Sequence, residues 1–309
     1  MEIAAESRKI NRSPAPTPES PVQVETVATE NYTRLVARRF MKHKLAVGGV
    51  AVILLLSLLA LFAPWAAPQD PYQVTQDFSA APSAKHFLGT DQVGRDVTSR
   101  LIYAVRVSLL VGLGTTLISV SLGTILGLIS GYFGGKIDLA LMRVVDVFMS
   151  FPQMLLIMVV VSIVGPGLVK IILILGFLGW PRVARIVRGS VLSIKENDYI
   201  KAAVAMGFST PRILFQHILP NAVAPILVHA TFSIANAIIV EASLSFLGLG
   251  VQPPTASWGN MLTDAQTLSV LTTKQWLWIP PGIMIIISVL SVNFIGDGLR
   301  DALDPRSLR

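Results

Sequence analysis

The residues able to do chemistry are few and far apart. Histidine occurs four times, at His43, His86, His217 and His229, without a His-x-x-x-His pair or a carboxylate cluster. That scatter predicts no metal site, since a zinc centre gathers several ligands at characteristic spacings. Cysteine is absent, which excludes thiol nucleophiles, thiolate metal sites and disulfides. No Gly-x-x-x-x-Gly-Lys-Ser/Thr string occurs, so the chain lacks the loop that cradles nucleotide phosphates. What remains are polar or ionisable residues set in apolar runs: Asp146, Asn236 and Glu241. Acid–base catalysis needs its groups together, whereas Asp146 is expected near one membrane edge and Glu241 near the other. No catalytic residue is assigned.

Those apolar runs dominate the chain. Of 309 residues, 52% are hydrophobic and only 14% charged, with a mean hydropathy of +0.64. A surface facing water needs more charge, so the expected solvent is lipid. The net charge of +7 sits in short clusters between apolar runs, the pattern of membrane topology and not of nucleic-acid binding. Residues 11–30 are rich in Pro, Ser, Thr, Glu and Val and lack aromatics, so 1–33 reads as a disordered cytoplasmic tail. The first apolar run begins only at Leu45, behind Arg34, Arg38, Arg39, Lys42 and Lys44. It therefore reads as an uncleaved anchor, with 34–67 forming an amphipathic lead-in and the first transmembrane helix.

A crossing helix needs roughly 20 mostly apolar residues. Five stretches qualify: 45–67, 107–135, 147–169, 222–246 and 275–296. A sixth, 171–181, spans only if it runs on through Arg182 and Arg185, with those arginines and Lys170 snorkelling to the interfaces. The expected architecture is thus an all-α polytopic membrane protein of six transmembrane helices, five of them in a core over 106–309. Lys and Arg fix the orientation. Eight precede the first span, two lie at Lys136 and Arg143, six between Arg182 and Arg212, and three from Arg300 onward. Both termini are therefore expected in the cytoplasm. Trp276 and Trp278 then fall at the outer boundary. The extracytoplasmic loops 68–105 and 247–274 serve either as docking surfaces for an external partner or as solvated connections.

One inner loop, 188–221, is more than a connector. Tyr199 to Met206 reads as a helix on the propensity of Ala202, Ala203 and Ala205. Asp198 is its expected N-cap and Gly207 its stop. Ser209-Thr210-Pro211 restarts a second helix with proline in its first turn. The alanine-rich face admits close approach by another protein, and a short helix docked in a partner's groove passes rigid-body motion to the adjoining spans.

Within the membrane, Asp146 lies one turn from Arg143, which favours an i, i+3 pair. Glu241 either faces a translocation path, where it would favour a peptide's amino terminus, or holds the outer loop. Asn236 and Asn293 read more readily as packing than as path. So do Gly112, Gly114, Gly123, Gly127 and Gly131, the last three recurring every fourth residue as close helix contact requires.

Lys201-Ala202-Ala203, with Gly207 four on and Leu219-Pro220 at the end, resembles the EAA signature of binding-protein-dependent ABC importer permeases. Two positions depart from it: Lys201 stands for the usual Glu and His217 for an apolar residue. Gly89-Thr90-Asp91 with Gly94-Arg95-Asp96-Val97 and Ser99-Arg100-Leu101 is similar to the outer-loop signature of the second permease subunit in dipeptide, oligopeptide and nickel importers. So are Arg106-Val107-Ser108-Leu109, Gly131-Tyr132-Phe133-Gly134-Gly135, Asp146 with Ser150-Phe151-Pro152, and Glu241 to Gly248. The resemblance implies a type I ABC importer permease fold in a bacterial inner membrane. It implies a heterodimer with a second permease, two ATP-binding subunits that carry ATP and Mg, and an extracytoplasmic solute-binding protein. The cargo it implies is di- or oligopeptides, with nickel or another small solute as the alternative. The helix around Lys201 becomes the coupling helix, with Tyr199, Lys201, Ala202, Ala203, Met206, Gly207, Phe208, Arg212 and Pro220 at the ATPase contact.

Overall fold

A computed structural model describes residues 32–304, which leaves nearly all of the tail expected to be disordered outside the described part. Among the described residues the regular structure is all helical, joined by loops and by one isolated antiparallel bridge between Thr90 and Asp96. Two helices open it, α1 (Tyr32–Lys42) and α2 (Lys44–Leu61), parted at His43. The His43 ring caps α2 by accepting the Ala46 N–H at 3.1 Å. Next come α3 (Val97–Phe133), α4 (Gly135–Ser150), α5 (Gln153–Val164) and α6 (Leu168–Lys195). The short α7 (Asp198–Ala205) precedes α8 (Leu219–Phe246) and α9 (Ile279–Leu303).

Among the described residues four helices are long and apolar enough to cross a membrane: α2, α3, the run Thr210–Phe246 that contains α8, and the run Gln275–Leu303 that contains α9. At about 1.5 Å per residue, α3 is some 55 Å long, well beyond the roughly 30 Å of hydrocarbon. Part of it therefore extends beyond the hydrocarbon. The stretch 147–169 corrects the sequence reading. It is not one helix, because α4 and α5 meet at a bend of 86°. Pro152 forces Phe151 out of the helical region, to φ −93 and ψ 142, as residues before proline are. Counted together, α4 and α5 make a fifth crossing. The weak sixth candidate, by contrast, lies in the unbroken 28-residue α6, with Pro181 accommodated inside it.

The largest helix–helix contact joins α3 to α6. Gly123, Gly127 and Gly131 of α3 face Val183, Val187 and Val191 of α6, one glycine to one valine. A methyl group on Gly127 or Gly131 would stand 2.7 Å from the opposing valine Cβ. The four-residue glycine spacing is thus an intramolecular seam that brings two backbones close. At one end of the bundle, Leu56, Val97, Val105, Ile238, Trp258 and Leu277 form a core under the long loops. At the other end, Val187, Val191, Ile200, Ile213 and Ile218 form a core that roots α7.

Candidate functional site

Three regions carry the polar residues. The first is the exposed turn at the α7 end. Ile200 and Ala203 are buried beneath it, while Tyr199, Val204 and Met206 present their side chains outward, Met206 at 66% exposure. Lys201, Ala202 and Gly207 are exposed beside them. The N-cap is Asn197, not Asp198, which takes the first helical position; there its carboxylate favours the positive end of the helix. Gly207 ends α7 at φ +77 with open space around it, a left-handed conformation that glycine adopts without strain. Arg212 lies over the Phe208 ring at 4.1 Å and donates to Gln216 at 3.1 Å. The second helix of this loop, Thr210–Arg212, does not stay separate. It continues through the π-helical turn Ile213–Ile218 into α8. Pro220, which is exposed, has no N–H for an α-type bond, and the widened turn stands just before it. Lys201 pairs with Glu196 at 3.2 Å, both largely exposed.

The second region is the loop before α3, which gathers all six residues of the outer-loop signature. Gly89 and Gly94 take positive φ of 73 and 83. Thr90 accepts from the Ala80 N–H at 2.8 Å and donates to the Asp77 carbonyl. Asp91 accepts from the Arg95 backbone at 2.9 Å and from its Nε at 2.7 Å, and Arg100 stands 3.6 Å away. Asp96 caps α3 through the Ser99 N–H and hydroxyl, at 2.7 and 2.8 Å, and its other oxygen lies 3.0 Å from His86 Nδ1. These residues knot the loop onto the start of α3. Burial, reinforced by the neighbouring Asp91, pushes the Asp264 carboxyl up from its ordinary value of 3.8. On the exposed rim, Lys85 at 2.5 Å holds Asp77 below the ordinary range.

The third region lies between the helices. A cleft of about 200 Å³ is bounded by α3, α5, α6 and α8, with Thr115, Thr116, Ser119, Gln153, Arg182, His229 and Asn236 in its wall. Of the three polar candidates from the sequence, only Asn236 reaches it. Asp146 is paired with Arg185 of α6 at 2.6 Å, not with Arg143 as its spacing suggested; the bend after α4 lays that helix along α6, where a cross-helix partner is closer. Glu241 is fully buried near the end of α8. Its Oε1 accepts from the Ser245 hydroxyl at 2.7 Å, and Ser245 in turn accepts the Val251 N–H at 3.0 Å. Glu241 is therefore tied to the loop that leaves α8. The threonines and Arg182 were missed as wall residues; the available signal was Thr115, Thr116 and Ser119 on one face of a glycine-bearing helix.

The described residues thus form an all-helical membrane protein with a polar cleft between its helices and an exposed apolar turn at one end. The comparisons give its family. The chain belongs to the binding-protein-dependent transport system inner membrane component family, whose model matches residues 123–309. A second model, the N-terminal transmembrane domain of oligopeptide transport permease C, matches residues 31–85. The di/tripeptide transport system permease protein DppC of Pseudomonas aeruginosa (strain UCBPP-PA14) is 42% identical over 86% of this chain and 90% of that protein. The dipeptide transport system permease protein DppC of Alkalihalophilus pseudofirmus (strain ATCC BAA-2126 / JCM 17055 / OF4) is 40% identical over 94% of this chain and 95% of its own length. Among solved structures, a chain of the inward-facing MetNI methionine ABC transporter superposes with a TM-score of 0.55 at 21% identity. It covers 66% of this chain and 97% of that one. That likeness gives the type I ABC importer permease fold.

Proposed function

We propose that this chain is one of two transmembrane subunits of an ATP-driven importer of di- and oligopeptides. Its relatives over nearly the whole length are named as peptide permeases, and the family is that of binding-protein-dependent transport. In this reading a second permease completes the path. Two cytoplasmic subunits bind ATP and Mg and supply the energy, and an extracytoplasmic protein delivers the solute. Both termini and α7 face the cytoplasm of a bacterial cell, and six crossings result when α6 is counted beside the bent α4–α5 pair.

The observation that carries the proposal is the exposed apolar surface of Tyr199, Val204 and Met206 over a rooted base of Ile200 and Ala203. An apolar patch held rigidly above the membrane surface calls for a protein partner. The test is purification of the tagged chain in mild detergent and identification of its companions, with Lys201→Glu and Gly207→Asp alongside. A second permease and two ATPases are expected with the unsubstituted chain and are reduced by Gly207→Asp. A chain that purifies alone and moves solute without ATPases would refute the assignment.

A further inference from the structure

Helix α6 carries three arginines at three-residue spacing, and only two have a carboxylate. Arg185 pairs with Asp146 and Arg188 with Asp138, both acids coming from α4. Among the described residues no carboxylate lies within ion-pair reach of Arg182. It is an exposed residue that stands in the wall of the 200 Å³ cleft and of an adjoining cleft of about 230 Å³ beside the α4–α5 bend. No acidic residue lines either space.

The same wall holds two unsatisfied hydroxyls. Thr115 and Thr116 are 7% and 5% exposed, and neither hydroxyl has a hydrogen-bond partner. A buried hydroxyl without a partner costs free energy, and these two, adjacent in sequence beside one cleft, are unsatisfied within the chain. The donors present are a guanidinium, hydroxyls, the Gln153 and Asn236 amides and the His229 ring. Guanidinium and hydroxyl together suit a carboxylate, for which arginine offers two parallel N–H groups. A solute's ammonium group, in contrast, meets no carboxylate in the wall of either cleft: Asp146 is held by Arg185, and Glu241 is buried beside Ser245 outside both linings.

We propose that this cleft is a carboxylate-reading subsite of the solute path, in which Arg182, backed by the Thr115 and Thr116 hydroxyls, receives the C-terminal carboxylate of a passing peptide. The proposal rests on the importer reading above and narrows it to peptides with a free carboxyl end.

The test uses the whole complex, with its second permease, ATPases and binding protein, reconstituted in liposomes. ATP-driven uptake of a dipeptide and of its C-terminal amide is measured in the same vesicle preparation. The acid-to-amide ratio is independent of how much complex assembled, and the binding protein contributes equally to every variant. Arg182→Gln is expected to lower the ratio about tenfold, as loss of one charge-assisted contact does, and Arg182→Lys to restore it to within about threefold of the unsubstituted value. Thr116→Val, nearly the same size and free of any charge change, lowers the ratio about threefold. It decides the matter if the glutamine variant fails to assemble. An unchanged ratio in Arg182→Gln, or in Thr116→Val where that variant must stand in, overturns the subsite and leaves the importer intact. Absence of ATP-driven uptake of either solute by the unsubstituted complex defeats the importer reading itself.

Discussion

Arg188 grips Asp138 through two parallel hydrogen bonds, Nε to Oδ1 at 2.5 Å and Nη2 to Oδ2 at 2.6 Å, and Ser130 donates to the same carboxylate at 2.5 Å. One acidic group on α4 thus fastens α6 and the end of α3 together, close to where α4 starts its course toward the bend.

Replacing that acid should be felt at once. Asp138→Ala leaves a partly buried guanidinium without its partner and is expected to lower stability by about 1–3 kcal/mol. In the chain that keeps Asp138, Arg188→Lys should retain only part of the contact, because lysine cannot make the paired hydrogen bonds. Thermal unfolding in detergent reads both, and an unchanged midpoint for Asp138→Ala would show the fork to be dispensable.

The glycine seam gives a steric prediction. Gly127→Val puts a branched side chain where even a methyl would stand 2.7 Å from Val187 Cβ, so α3 and α6 must separate, at a cost of about 1–3 kcal/mol. Combining it with Val187→Ala should recover a good part of the loss. Strict additivity of the two changes in a double-mutant cycle would contradict the proximity.

Met206 separates stability from assembly. Its side chain is exposed, so Met206→Asp should change the unfolding free energy by no more than about 0.5 kcal/mol. Recovery of ATPase subunits with the tagged chain should nevertheless fall several-fold. Equal recovery would place the partner contact elsewhere.

The raised Asp264 carboxyl fixes the sign of a pH effect. A carboxyl whose pKa is higher folded than unfolded binds its proton more tightly in the fold. Its ionisation therefore destabilises the protein fully above the folded pKa, and the penalty disappears as pH falls below the ordinary value of 3.8. Asp264→Asn should then stabilise at pH 7 and lose that advantage on acidification. Melting curves at pH 7 and pH 4 are the check, and an advantage that grows on acidification would reverse the assignment.

Much of this architecture is legible in the sequence because lipid imposes long apolar runs, and α2, α8 and α9 follow them closely. The α7 turn was also readable, since alanine propensity and Gly207 act locally. Two things were not. Pro152 breaks an apolar run that hydropathy alone treats as continuous, because hydropathy ignores backbone geometry. The partner of Asp146 depends on which helices meet, since Arg185 is distant in sequence; Ser245 lies one turn from Glu241 on the same helix, but its link to Val251 shows only where the chain turns back. Arg182 could be found as a cation on an apolar helix, but its lack of a carboxylate shows only once Arg185 and Arg188 are seen to have theirs.

The backbone from Thr210 to Phe246 is one helical run, and it carries both the start of the turn after Gly207 and, further along, His229 and Asn236 in the cleft wall. Asn236 stands about 40 Å along this rod from Thr210 at ~1.5 Å per residue. As a lever pivoting at Thr210, the rod would carry Asn236 about 3 Å sideways for a tilt of roughly 5°, a displacement comparable to the reach of a hydrogen bond. The widened turn at Ile213–Ile218 and Pro225 are where such an arm yields. Stiffness at those two places would then govern how much of a push delivered at the Thr210 end arrives at the cleft.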